Sequence, residues 1–311
     1  MERQQAALST DIAQPLPGLR RREKGFGAIR STVSFVRNKP VAAAGGALVL
    51  CMAFLAIFAD VVAPHDPLLM YDGKALLPPS SEFWLGTDPW GRDVLSRIMK
   101  GAQVSMSVGL GAVIISGIGS TLLGSISAYV GGRLDTYFQR VVDAVMAVPS
   151  LVMLLTLMAV LGPGVTNIIL ALAFRQTFTE SRIVRSAVLG IKAQQYIEAA
   201  RAAGASGPRI LLAHILPNVM APVIILVSVA MADNILSEAS LSFLGYGVPI
   251  HIPTWGNMLT RESREFMLRG PWIAVFPGLA LSIVVWGINM FGDGLRDVLD
   301  PRLRGAGAQQ R

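Results

Sequence analysis

The stretch V-A-A-A-G-G-A-L-V-L-C-M-A-F-L-A-I-F-A, from Val41 to Ala59, contains no charged residue. A helix rises about 1.5 Å per residue, so this run and its continuation to residue 63 can cross about 30 Å of hydrocarbon. A signal peptide is the competing interpretation, but 40 residues of largely polar sequence precede the run. We therefore expect a transmembrane helix over 41–63.

The composition extends this expectation to the whole chain. Hydrophobic residues make up 52% of the 311 residues and charged residues only 15%, whereas soluble domains carry about 25% charged residues. Further apolar runs predict an all-α, polytopic membrane protein with six transmembrane helices. The predicted spans are 41–63, 104–130, 141–161, 165–184, 218–240 and 272–292. The fourth predicted span contains an uncharged run only from Val165 to Phe174. If this segment did not cross the membrane, the C-terminus would lie on the opposite side of the membrane.

The basic residues predict the orientation of these spans. With the N-terminus in the cytoplasm, and with the charged end of the fourth span from residue 175 counted as inner, 20 of the 27 Lys and Arg residues fall on the inner side, in agreement with the positive-inside rule. This distribution accounts for the net charge of +7 without nucleic acid. The resulting segments are a cytoplasmic leader 1–40, the first helix 41–63, an extracytoplasmic segment 64–103, a core 104–300 with an inner loop 185–217 and an outer loop 241–271, and a cytoplasmic tail 301–311.

Motifs that would indicate an enzyme are missing from the sequence. The one cysteine, Cys51, excludes a disulfide framework, and three scattered histidines do not form a metal-binding pattern. No phosphate-binding G-x-x-x-x-G-K-[ST] loop and no nucleophile motif occurs. We therefore predict no catalytic residue, metal or cofactor in this chain, and expect a protein that transports, anchors or signals.

A repeated pattern of small residues marks the second predicted span. Ala112, Ser116, Ser120, Gly124 and Ala128 recur at every fourth position, so they share one face of a helix. Such a face lets two helix backbones approach closely. It favours packing within one subunit, although a subunit interface remains the alternative.

The segment between the fourth and fifth spans is the most informative one. It reads Y-I-E-A-A-R-A-A-G-A-S-G-P-R-I-L-L-A-H-I-L-P-N from Tyr196 to Asn218. A short helix is predicted from Glu198 to Ala203, with Gly204 as a left-handed cap. Ser206 and Pro208 are suited to begin a second helix. The alanine face can dock in the groove of another protein, or the segment can be an amphipathic connector on the headgroups.

This segment resembles the signature loop of ABC importer permeases, in which E-A-A is followed by Gly and then by Leu-Pro. The matching positions are Glu198, Ala199, Ala200, Gly204, Leu216 and Pro217. His214 stands where Ile is common, and H-I-L-P-N is similar to the variant of the peptide-transporter branch. In this family the loop docks on the ATPase, so the resemblance implies that these six residues couple the chain to ATP hydrolysis.

Other segments resemble the second-permease type of the dipeptide, oligopeptide and nickel branch. They are W-L-G-T-D-P-W-G-R-D-V-L-S-R (84–97), L-S-E-A-S-L-S-F-L-G-Y-G (236–247), P-T-W-G (253–256) and G-D-G-L-R-D-V-L-D-P-R (292–302). The resemblance implies a type I importer permease in a bacterial inner membrane. Its partners would be a homologous second permease, two ATPases that bind ATP and Mg, and an extracytoplasmic binding protein. Peptides are the expected substrate, with nickel or another small solute as the alternative.

Several polar residues fall within the predicted spans. Arg175, Asp233, Asn234 and Glu238 are candidates for the translocation path or its gate, because such groups usually face a bundle interior or a water-filled cavity. Pairing between spans is the alternative for each of them. A stand-alone secondary transporter is the competing class, but the two halves show no convincing inverted repeat.

Overall fold

A computed structural model describes residues 36–37 and 39–299 of the chain. The predicted tail 301–311 and nearly all of the predicted leader 1–40 lie outside the described residues. The chain divides into two units, Met1–Pro40 and Val41–Arg311. All elements below lie in the second unit, apart from Pro40 at the start of the first helix.

The described residues form helices and loops, with one isolated bridge between Thr87 and Asp93 and no strand. The helices are α1 (Pro40–Ile57), α2 (Ala59–Val62), α3 (Val94–Val130), α4 (Gly132–Ala147), α5 (Ser150–Leu161), α6 (Val165–Lys192), α7 (Gln195–Ala202), α8 (Gly207–Ile210), a π-helical turn (Leu211–Ile215), α9 (Leu216–Phe243), a 3-10 turn (Asn257–Leu259), α10 (Arg261–Phe266) and α11 (Trp272–Leu299).

Four helical stretches in the described part of the chain are long and apolar enough to cross a membrane. They are Pro40–Ile57, Val94–Val130, Gly207–Phe243 and Trp272–Leu299. A fifth candidate is the pair formed by α4 and α5, if the two count as one span. The predicted fourth span is a 28-residue helix, α6, but it carries too many charges to qualify by composition. The all-α, multi-span prediction is therefore confirmed, with four or five candidate spans.

The second span differs from its prediction at its beginning. The sequence predicts a start at residue 104, after the extracytoplasmic segment 64–103, but α3 already begins at Val94. Asp93 caps the helix: its carboxylate accepts hydrogen bonds from the Ser96 backbone N–H at 2.9 Å and from the Ser96 hydroxyl at 2.6 Å. Such a cap satisfies N–H groups that the first turn leaves free, so the helix forms ahead of the apolar run.

The third span was expected to be continuous from 141 to 161, and the structure corrects this. Two helices, α4 and α5, meet there at an angle of 93°. The break falls at Val148, whose backbone is extended with φ −85° and ψ 127°. Pro149 follows it, and a proline disfavours helical dihedrals in the residue before it. Counting apolar residues alone missed this signal.

The small-residue face of α3 packs inside the subunit. All five of its members are buried, and α3 lies along α6. A Cβ placed on Gly124 would lie 2.5 Å from the Ser181 carbonyl oxygen of α6, so only glycine allows this approach. The structure thus supports intra-subunit packing for this face over a subunit interface.

Residues 64–93 fold onto the ends of α3 and α11. The Trp272 indole N–H donates to the Thr87 carbonyl at 3.0 Å. Asp88, itself buried, lies 2.6 Å from the Arg92 guanidinium and 3.5 Å from that of Arg97. These contacts give this irregular segment a fixed position on the helices.

Candidate coupling elbow and translocation path

Residues 195–217, which we call the elbow, contain the sharp turn that the sequence predicted. Gly204 follows α7 with a φ of +83°. Its N–H donates to the Arg201 carbonyl at 3.0 Å, and the N–H of Ala205 donates to the Ala200 carbonyl at 3.1 Å. These two bonds form a Schellman motif, which ends a helix and reverses the chain. A left-handed residue is required at Gly204, and glycine takes this conformation without steric cost.

The elbow is anchored on the bundle by three isoleucines. Ile197, Ile210 and Ile215 are each at most 1% exposed. They pack in one cluster with apolar residues of α3, α6 and α9, namely Ala128, Val184, Val188, Val219 and Val223. Each buried side chain of this size contributes about 1.5–3 kcal/mol. The elbow therefore sits firmly against three long helices.

The signature residues lie mostly on the outside of the elbow. Glu198, Ala199, Gly204 and Pro217 are exposed, whereas Ala200 and Leu216 are half-buried. Ala202 and Ala203 are exposed as well, so the outward face is small and weakly polar. A π-helical turn adjoins it, in which the Asn218 amide donates to the His214 carbonyl at 2.6 Å. Together these residues give a shallow surface on a fixed support.

A lysine that no sequence motif indicates connects the elbow end of α6 to the end of α3. The Lys192 ammonium donates to the carbonyls of Tyr129 at 2.8 Å and Ala128 at 3.2 Å. Carbonyls in the last turn of a helix have no partner within that helix. Lys192 therefore caps α3 from the neighbouring helix.

A partly buried ion pair connects a third helix, α4, to this junction of α3 and α6. Arg185 of α6 makes two hydrogen bonds to Asp135 of α4, and Ser127 of α3 donates to the same carboxylate at 2.6 Å. The opposite charges were visible in the sequence, but 50 residues separate Asp135 from Arg185. No local spacing rule connects residues that far apart.

The candidate path residues occupy different environments, and Glu238 is the most enclosed. It is fully buried and accepts hydrogen bonds from the hydroxyls of Ser105 at 3.1 Å and Ser242 at 2.8 Å. Glu238 thus joins α3 to α9.

Asn234 and Arg175 carry polar atoms without partners. Asn234 is fully buried, and neither side-chain polar atom has a hydrogen-bond partner among residues 36–37 and 39–299. Arg175 is half-buried, and its Nε is likewise unpartnered within that range. Each unsatisfied buried polar group costs about 1–3 kcal/mol, which makes both residues candidates for a functional role.

Asp233, in contrast, is exposed on α9 and forms no ion pair with the described residues. A charged residue at the centre of a lipid-facing helix costs about 3 kcal/mol. The face of α9 that carries Asp233 is therefore expected to meet water or protein.

Two further acids of the bundle have partners. Glu180 of α6 is buried and accepts a hydrogen bond from Ser120 of α3 at 3.4 Å. Asp143 of α4 lies 3.8 Å from Arg140 and 3.0 Å from Arg182. Across the described part of the chain, no three His, Cys, Asp or Glu side chains are placed to share a metal ion.

Long apolar helices, buried carboxylates and an exposed elbow between two long helices define a polytopic membrane protein of the transport class. The chain belongs to the family described as binding-protein-dependent transport system inner membrane component, which it matches over residues 120–305. It also matches the N-terminal transmembrane domain of oligopeptide transport permease C over residues 33–79. Such proteins are non-catalytic, multi-pass components of the bacterial inner membrane.

Individual relatives are similar over most of their length. The chain is 37% identical to the dipeptide transport system permease protein DppC of Alkalihalophilus pseudofirmus, over 88% of this chain and 90% of that one. It is 40% identical to the di/tripeptide transport system permease protein DppC of Pseudomonas aeruginosa, over 88% and 91%. It is also 40% identical to the glutathione transport system permease protein GsiD of Escherichia coli, over 86% and 89%.

Proposed function

We propose that the chain is the permease subunit of an ATP-driven importer for di- or oligopeptides, and that it forms half of the translocation pore. A homologous second permease forms the other half. Two ATPase subunits bind ATP and Mg, and an extracytoplasmic binding protein delivers the peptide. The chain itself binds no cofactor and catalyses no reaction.

The proposed topology has six spans with both termini in the cytoplasm. The spans are α1, α3, the bent pair α4–α5, α6, α9 and α11. For α6 the support is that two of its charged residues have partners on neighbouring helices: Glu180 accepts a hydrogen bond from Ser120, and Arg182 pairs with Asp143. This topology leaves 1–40, the elbow and 301–311 inside, and 64–93 and the loop after α9 outside.

The elbow is proposed as the coupling site, and one observation carries this proposal. Its outward face is small and exposed, while Ile197, Ile210 and Ile215 hold its inner face on α3, α6 and α9. An ATPase that moves the elbow would thus move three long helices with it. The contact residues would be Glu198, Ala199, Ala200, Gly204, Leu216 and Pro217.

The translocation path is proposed to involve Arg175, Asp233, Asn234 and Glu238. Asp233 is exposed and is suited to line the path. Glu238, which accepts hydrogen bonds from two hydroxyl groups, is better suited to hold α3 and α9 together as part of a gate. Asn234 and Arg175 carry buried polar atoms that have no partner among the described residues, which supports a functional role for both.

Peptides are preferred as the substrate because relatives at 37% and 40% identity are named for dipeptide and di/tripeptide transport. Another relative at 40% identity is named for glutathione, which is itself a tripeptide. Nickel is the alternative, but the described residues offer no three-residue metal cluster.

Reconstitution tests the proposal. The chain is placed in liposomes with the second permease and both ATPases, and uptake of labelled dialanine is measured with the binding protein present. We expect uptake that requires ATP, the binding protein and all four membrane-associated subunits. Uptake by the chain alone, without ATP, would show a stand-alone transporter instead.

A further inference from the structure

One face of α9 is open at both of its ends. Near the elbow, a groove of about 640 Å³ is lined by Ser186 of α6, Pro222 and Ile225 of α9, and Leu299 of α11. Towards the other end, a groove of about 360 Å³ is lined by residues of α5, α9 and α11, namely Leu151, Leu236, Ser240 and Leu281.

Asp233 lies between these two grooves on the same face of α9. The residues Pro222, Ile225, Val229, Asp233, Leu236 and Ser240 follow each other at intervals of three or four. Residues at such intervals share one side of a helix. Asp233 is exposed there, on the stretch of α9 between the residues that line the two grooves, which we call the strip.

The electrostatics of this strip favour a cation. Neither groove is lined by a charged side chain, and Asp233 has no ion-pair partner within the described ranges. A carboxylate that faced lipid would be strongly unfavourable, whereas one in a water-filled path is tolerated. Among the described residues that line the two grooves, an amino group moving along α9 would thus meet no basic group in competition for Asp233.

We propose that Asp233 binds the positively charged amino group of the solute as it passes along this face of α9. The proposal rests on the proposed function, because it requires that the chain form part of a translocation path. It adds a chemical class to that path: solutes with a free amino terminus or another cationic group.

The first test uses the reconstituted complex with binding protein saturated by labelled dialanine. Asp233→Asn is expected to lower uptake per ATP hydrolysed by about tenfold, because a charge-assisted hydrogen bond is lost. Asp233→Glu restores the carboxylate and is expected to recover most of the uptake. Asp143→Asn is the matched control, since Asp143 lies on α4 and pairs with Arg182, and its uptake is expected to stay at the wild-type level.

Wild-type uptake per ATP in Asp233→Asn would overturn the proposal. So would loss of assembly or of ATPase activity, because Asp233 would then pair with the second permease. If the wild-type complex shows no ATP-dependent uptake of any peptide, the proposed function fails instead.

The second test needs no substrate. Cys51 is the chain's single cysteine, so Cys51→Ala leaves this chain without a thiol, and labelling is read on this chain alone. In the assembled complex, Asp233→Cys is expected to react with a charged, water-soluble thiol reagent. Ile118→Cys, on the apolar exposed face of α3, is expected to stay unmodified. An unreactive Asp233→Cys would show that the strip is closed to water and would overturn the proposal.

Discussion

Asp135 and Arg185 form a two-point ion pair, with Arg185 Nε 2.7 Å from Oδ1 and Nη2 2.6 Å from Oδ2 of the carboxylate. The pair joins α4 to α6, the helix that leads into the elbow. Ser127 of α3 donates a hydrogen bond to the same carboxylate, so three helices meet at this junction. Because the planar guanidinium matches both carboxylate oxygens, the pair fixes an orientation as well as a distance.

We predict that Arg185→Lys weakens this junction, because an ammonium group cannot make the two parallel bonds. The expected loss is about 1–2 kcal/mol in the free energy of unfolding, with a lower uptake per ATP in the complex. Thermal unfolding followed by circular dichroism measures the first effect. Arg182→Lys is the control: its pair with Asp143 is more exposed and contributes about 0–1 kcal/mol. Equal losses in both variants would contradict the assignment.

At Gly204, the backbone conformation is predicted to decide which residues are tolerated, and not the space around the side chain. A Cβ built there meets no atom of the described residues within 4 Å, but φ is +83°. Asparagine tolerates this conformation and valine does not. We expect Gly204→Asn to keep the thermal stability of the isolated chain and Gly204→Val to lower it.

The same pair of variants separates folding from docking. In the complex, Gly204→Asn adds a side chain to the proposed contact face. We expect it to reduce substrate-stimulated ATPase activity while the chain remains folded. Normal stimulation in both variants would remove Gly204 from the coupling site.

The close approach of α3 and α6 at Gly124 gives a third prediction. Gly124→Ala places a methyl group 2.5 Å from the Ser181 carbonyl oxygen and is expected to cost about 1–3 kcal/mol. Gly190→Ala, also in a helix, meets no atom of the described chain within 4 Å and is expected to be neutral or stabilising. The melting temperatures of the two variants measure the effect. A Gly124→Ala variant as stable as the wild type would contradict the close packing of α3 against α6.

Glu238 is expected to tolerate an isosteric amide better than an apolar side chain. Glu238→Gln keeps an acceptor oxygen for one of the two hydroxyls, and its amide N–H can donate to the oxygen of the other, whereas Glu238→Leu leaves both Ser105 and Ser242 without a partner at this position. The expected difference in the free energy of unfolding is about 2 kcal/mol. Glu198→Gln, which is exposed, is the control and should change stability by less than about 0.5 kcal/mol. Equal stability of the Gln and Leu variants would contradict the hydrogen-bonded role.

The sequence was sufficient where the cause is local. Gly204 follows an alanine-rich helix, and both the turn and its left-handed glycine were predicted. The cap at Asp93 and the break before Pro149 also have local causes. Both were missed because the bounds of the spans were predicted from runs of apolar residues. The Asp135–Arg185 pair and the hydroxyl cage around Glu238 could not be predicted, because their members come from different helices whose register only the folded bundle defines.

The central claim is that the exposed face of the elbow contacts the ATPase. A photoreactive amino acid placed at Ala199 in the assembled complex tests it directly, with the same residue at Tyr246, which is exposed on the loop after α9, as the control. We expect cross-linking to an ATPase subunit from Ala199 and none from Tyr246. Capture of the ATPase from Tyr246 but not from Ala199 would contradict the account.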